Sequence, residues 1–142
     1  MANRDRIIDG LEDIVYSDGP YTANQLLPIF NEAFQLYPRS IRLYNCLAEL
    51  LMDHELYERA LAIHKIADQI TPHNTEHLLR YGFTLTHLFE REKETKYFLD
   101  LIGIVQRLQE QEATLDPFDQ QEFQLLKDRM KMPWYQNLLY QA

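Results

Sequence analysis

The chain has 142 residues, of which 46% are hydrophobic and 12% aromatic, enough to fill a compact core and too apolar for a disordered polymer. A formal charge of -8 and a pI near 5.0 would repel a phosphate backbone or an anionic lipid surface, so nucleic acid and membrane are excluded as default partners. The lone Cys46 excludes an internal disulfide, and a basic or amphipathic protein segment is the partner this charge favours.

The chain reads as helices nearly end to end. The start, Met1 to Asp9, has no long apolar run and no signal-peptide pattern, and no stretch approaches a transmembrane length, so the cytoplasm is the expected address. Ile7, Ile8, Leu11, Ile14 and Val15 recur at helical spacing, and Asp18, Gly19 and Pro20 stop that first helix. Thr22 with Gln25 makes a capping-box pair, and Leu26, Leu27, Ile29, Phe30, Ala33 and Phe34 give a broad apolar face ending before Pro38. Pro28 fits that helix only in its first turn or as a kink.

Ser40 caps a third helix to about Met52, and a turn at Asp53, His54 and Glu55 leads to a fourth from about Leu56 to Ile70. Cys46 sits in the third among apolar neighbours and reads as a buried thiol. Asn74 or Thr75 caps the fifth, expected to end near Phe89. Glu90 to Glu94 reads as a solvated turn and first helical turn, with Glu92 and Lys96 spaced for an i,i+4 pair. Tyr97, Phe98, Leu101, Ile102, Ile104, Val105 and Leu108 form the sixth helix. Asp116 and Pro117 are an N-cap and first-turn proline, and Phe118, Phe123, Leu125, Leu126 and Met130 carry a seventh helix to Lys131. Pro133 breaks it. The tail from Trp134 to Ala142 has no charged side chain but holds Trp134, Tyr135, Leu138, Leu139 and Tyr140, and so calls for a docking site.

Residues 41–74 repeat weakly on both sides with a period of 34. Tyr44, Leu47, Ala48, Leu51, Ala60, His64, Ala67 and Pro72 stand where the tetratricopeptide pattern asks for an aromatic, Leu, a small residue, a large apolar one, Ala, an aromatic, Ala and Pro, and only His64 departs clearly. Shifted back, Ala60 falls on Leu26, His64 on Phe30, Ala67 on Ala33 and Pro72 on Pro38. Shifted forward, Tyr44 falls on Leu78, Leu47 on Tyr81, Ala48 on Gly82, Leu51 on Leu85, His64 on Phe98 and Ala67 on Leu101. The chain therefore resembles the tetratricopeptide repeat family over residues 7–108. The resemblance implies an all-α fold, a right-handed solenoid of antiparallel helix hairpins in a single domain spanning 1–142. Its parts would be a degenerate repeat at 7–40, a good one at 41–74, a degenerate one at 75–108, and a capping helix with tail at 116–142. Small residues such as Ala48, Ala60 and Gly82 would let paired helices approach closely. The end units depart from the pattern: the first has Gly10, Asp13 and Ser17 where apolar anchors belong, and the third has Glu94 in place of Ala and no closing Pro.

Catalytic constellations are missing. There is no Gly-rich phosphate loop among four Gly residues and no Gly-x-Ser-x-Gly. His73 and His77 straddle a helix start without a Glu placed as in zinc proteases, and read as surface histidines, as do His54 in its turn and His87. His64 reads as a core or rim residue. Carboxylates such as Glu12 with Asp13, or Asp116 with Asp119, lie where helix starts and solvated faces put them. The expectation is a non-enzyme with no cofactor and no metal.

In repeats of this family the first helix of each pair lines a concave groove. By resemblance that selects Arg42, Asn45, Glu49, Met52 and Asp53, then Glu76, Leu79, Phe83, Thr86 and His87, as the partner-binding residues. Asn45 would bond a partner's backbone, Met52, Leu79 and Phe83 would take apolar anchors, and Glu49, Asp53 and Glu76 would favour Lys or Arg on the ligand. The alternative for Leu79 and Phe83 is packing on helix seven or the tail. Some family members clamp a chaperone's C-terminal carboxylate with Lys, Asn and Arg, but Glu76 stands where a Lys would be required. The leading reading is a non-catalytic module that binds a peptide or helix of another protein. The alternatives are a small acidic chaperone similar to those of bacterial type III secretion, and a structural subunit that self-assembles into a homo-oligomer.

Overall fold

The computed structural model describes residues 2–17 and 21–131. The expected stop at Asp18, Gly19 and Pro20, and the apolar tail from Pro133 to Ala142, lie outside the described residues. Among those described the fold is all-α, with no strand: α1 (Ala2–Tyr16), α2 (Ala23–Leu36), α3 (Ile41–Asp53), α4 (Tyr57–Ile70), α5 (Thr75–Glu92), α6 (Thr95–Glu110), a 3-10 turn (Glu112–Thr114) and α7 (Pro117–Met130). None of these helices is long and apolar enough to cross a membrane. The chain divides into two compact units, Met1–Thr71 and Pro72–Ala142.

The helix starts are set by side chains that take up otherwise unpaired backbone N–H groups. Thr22 accepts from the Gln25 backbone at 3.2 Å while Gln25 Oε1 accepts from the Thr22 N–H at 2.8 Å, closing the capping box. Ser40 opens α3, Asn74 accepts from His77 N–H at 2.9 Å to open α5, and Asp116 accepts from Asp119 N–H at 2.8 Å with Pro117 just inside α7. Pro28 is the sixth residue of α2, past the first turn. The carbonyl it leaves without a donor belongs to Asn24, which is exposed and so has water available.

In the first unit α3 is central: α4 packs along it, and α1 and α2 both pack on it. Ile8, Leu11 and Val15 from α1, Leu26, Phe30 and Ala33 from α2, Leu43, Cys46, Leu47, Leu50 and Leu51 from α3, and Ala60 from α4 form one buried cluster. In the second unit α5 takes that place, packed against α6 and α7. Leu78, Leu85, Leu88 and Phe89 of α5, Phe98, Leu101, Ile104 and Leu108 of α6, and Phe123 and Leu126 of α7 are buried there.

The 34-residue period survives at the level of burial for two helix pairs. Helices α2 and α4 begin at Ala23 and Tyr57, and α3 and α5 at Ile41 and Thr75, each pair 34 apart. Buried Leu26, Phe30 and Ala33 recur as buried Ala60, His64 and Ala67, and Leu43, Leu47, Ala48 and Leu51 recur as His77, Tyr81, Gly82 and Leu85. At the ends the register slips. In α1 the anchors are Ile8, Leu11 and Val15, two residues before Gly10, Asp13 and Ser17. In α6 the helix starts at Thr95, four residues past the position matching Tyr57, so Glu94 is its N-cap, while Phe98 and Leu101, at the positions matching His64 and Ala67, are still buried.

The second slip has a visible cause. Helix α5 runs to Glu92 instead of ending near Phe89, because Glu90 and Arg91 continue the helix rather than form a turn. Lys93 then ends it in the left-handed conformation (φ 59°), its N–H donating to Phe89 O at 2.8 Å. With a helix end between them, Glu92 and Lys96 are not an i,i+4 pair; Lys96 meets Glu94 at 3.2 Å instead. His77, expected on the surface, is fully buried, since it repeats the core position of Leu43, and its ring lies 5.6 Å from that of Tyr81. Gly82 also differs from expectation. The space a Cβ would need is limited by Leu126 of α7 at 2.8 Å, more than by Ile104 of its hairpin partner α6 at 3.6 Å.

Candidate functional site

The five candidate contact residues of the first unit lie on α3 and have different fates. Arg42 is already engaged: its guanidinium donates to Asp9 and to both oxygens of Glu12, with Nε 3.3 Å from Glu12 Oε2, tying α3 to α1. The bonds to Glu12 first and Asp9 second raise its pKa further above the ordinary arginine value. Asn45 is 1% exposed, and neither Nδ2 nor Oδ1 has a hydrogen-bond partner. Glu49 and Met52 are half-buried and Asp53 is exposed. Asp53 and His54 also line a small cavity of about 170 Å³ with Val15, Tyr21, Leu26 and Leu50. His54 Nδ1 lies 3.0 Å from the Leu50 carbonyl oxygen, which fixes its ring at the helix end.

In the second unit Leu79 and Thr86 are buried. Thr86 Oγ1 donates back to Phe83 O at 2.6 Å. Glu76, Phe83 and His87 remain accessible, and they fall on one face of α5 with Arg80 and Glu90, since 76, 80, 83, 87 and 90 step by four and three residues. Arg80 Nε donates to Glu76 at 3.2 Å. Arg129 of α7 donates two parallel bonds to Glu90, each 2.5 Å, the fork geometry that matches a carboxylate. Burial first, and the Arg129 charge second, push His87 below the ordinary histidine value, with Glu90 pulling the other way. Phe83 is thus a half-buried aromatic inside a stripe of fixed charges.

Helix α7 adds a second surface. Of the apolar residues read from its sequence, Phe123 and Leu126 are buried, whereas Phe118 is 66% exposed and Leu125 59%. The two exposed residues are seven apart and share a face. Beside them an open cleft of about 570 Å³ is lined by Glu112, Ala113, Pro117, Gln120, Gln121 and Gln124. Burial first, then the neighbouring Asp116 and Glu76 carboxylates, raise the pKa of Asp119 above the usual aspartate value. The sequence reading used all five apolar residues to mark the helix and did not separate its buried side from its exposed one. Helical angle was the signal that separates them, because Phe118 and Leu125 point well away from the Phe123 and Leu126 side.

Among the described residues no three His, Cys, Asp or Glu side chains gather where they could hold a metal ion. Comparison with known proteins returns no match: no family model, no curated protein and no solved structure is similar to this chain.

Proposed function

We propose that this protein is a non-catalytic interaction module that binds a peptide or helical segment of a partner protein, on a scaffold of the tetratricopeptide type. The observation that carries the reading is Phe83, an aromatic left half-accessible among Glu76, Arg80, His87 and Glu90 on one face of α5. An apolar anchor surrounded by charges is how a protein surface joins affinity to selectivity: the anchor supplies burial, and the charges penalise the wrong partner. The recurrence of buried positions at 34 residues in α2 with α4 and α3 with α5 supports the scaffold, since stacked helix pairs of that length are built to present one helix of each pair.

Affinity capture from the native cell extract, wild type beside Phe83→Glu, tests this. A partner held by the wild type and lost from a variant with unchanged circular dichroism supports the reading. Equal capture by both forms removes the α5 face from the function.

A further inference from the structure

We propose that the cavity of about 170 Å³ at the junction of α1, α2 and α3 is a binding site for a small primary amine, an apolar stem ending in an ammonium group. The site belongs to the first unit alone and is independent of the α5 stripe. It arises from a difference in packing: α3 lies along α4 and α5 along α6, whereas α1 packs on α3 and not along α2. The cavity sits where the end of α1, the start of α2 and the end of α3 converge.

Its walls divide by chemistry. Val15, Leu26 and Leu50 are buried, so the inner wall is hydrocarbon, whereas Tyr21, Asp53 and His54 are exposed and make a polar rim. Apolar space closed by a few convergent polar groups is the usual form of a small-molecule site. An apolar cavity of about 150 Å³ takes a benzene-sized group, so the volume here sets the stem at a phenyl ring or a short alkyl chain.

The rim selects the head group. An ionised Asp53 carboxylate offers only acceptors. The Leu50 carbonyl can only accept, so its 3.0 Å contact with His54 Nδ1 puts the hydrogen of the neutral ring on that nitrogen and leaves Nε2 as a further acceptor. Asp53 and His54 are the last residue and the C-cap of α3, where the helix dipole adds partial negative charge, and the last turn holds no basic residue. Among the described residues no Lys or Arg lines the cavity. A carboxylate, an acceptor nitrogen and a negative helix end together favour a cationic head group with several N–H donors, which an ammonium supplies. Tyr21 adds an aromatic ring, a surface that ammonium groups also favour. An anionic ligand would meet repulsion from Asp53, and an alcohol would gain the stem contacts without the charge.

The test uses the full chain and three probes of similar shape: phenethylamine, phenethyl alcohol and phenylacetate. Binding is read from backbone amide shifts in NMR titrations. Phenethylamine is expected to move the signals of the lining residues and to bind about tenfold tighter than the alcohol, with phenylacetate weakest. Asp53→Asn, at an exposed position and checked by circular dichroism, should weaken amine binding about tenfold and leave the affinity for the alcohol unchanged, a split that a merely structural effect would not produce. Equal affinity for the three probes overturns the proposal, as do shifts confined to residues away from the cavity or full amine affinity in Asp53→Asn. An Nα-acetyl-lysine methylamide arm separates the two sources of such a head group. Tighter binding of phenethylamine assigns the site to a free amine and tighter binding of the lysine compound to a partner protein's lysine, and either upholds the site. None of these outcomes bears on Phe83, whose capture result decides the interaction-module reading separately.

Discussion

Gly82 of α5 and Leu126 of α7 are in direct opposition: a β-carbon added to the glycine would stand 2.8 Å from Leu126 Cδ2. Leu126 is fully buried and has little room to swing away. Gly82→Ala therefore sets a helix-propensity gain of about 1 kcal/mol against an overpacking cost of about 1–3 kcal/mol. The expected outcome is a net loss, seen as a lower urea midpoint. A midpoint at or above wild type would mean that α7 can shift without cost.

Phe98 tests the placement of α6. Its ring lies 5.3 Å from that of Phe89 in the core of the second unit, while its neighbour Leu99 is exposed. Phe98→Ala should cost about 3–5 kcal/mol and Leu99→Ala less than about 0.5 kcal/mol. Similar losses at the two positions, measured by chemical denaturation, would contradict the placement of this helix.

Asn45 carries a buried amide with no hydrogen-bond partner, a burden of about 1–3 kcal/mol. Asn45→Val removes the amide at little change in bulk, and should raise stability by about 1 kcal/mol. A destabilised valine variant would show that the amide makes a favourable contact in solution.

His87 sets an acid sensitivity. Its folded-state pKa lies below the ordinary value of 6.5, through burial first and Arg129 second. Above 6.5 the neutral ring is present in both states and costs nothing. As pH falls from there toward the folded pKa, the unfolded chain takes up the proton more readily, and stability is lost. His87→Gln should lose less stability than wild type between pH 7 and 5 in paired thermal melts. Parallel curves would place the acid response elsewhere.

How much was legible in the sequence follows from how local each signal is. The caps at Thr22, Ser40, Asn74 and Asp116 are side chains acting within three residues, and all four mark real helix starts. The end of α5 was hidden because Lys93, not a glycine, adopts the left-handed conformation, and nothing in Glu90, Arg91 or Glu92 distinguishes a solvated turn from a solvated helix end. That extension delays the start of α6 to Thr95 and leaves Glu94 as its N-cap. At the candidate site the pattern had no means of knowing that Asp9 and Glu12, some thirty residues earlier, occupy Arg42. Long-range pairing of that kind leaves no periodic trace.

The seam between Thr71 and Pro72 divides the chain into bodies of about seventy residues each, near the size where a single core only just outweighs chain entropy. Ala60 belongs to the buried cluster of the first unit and Leu126 to the buried residues of the second, so two mild lesions within one cluster share packing partners and should combine less additively than one lesion in each.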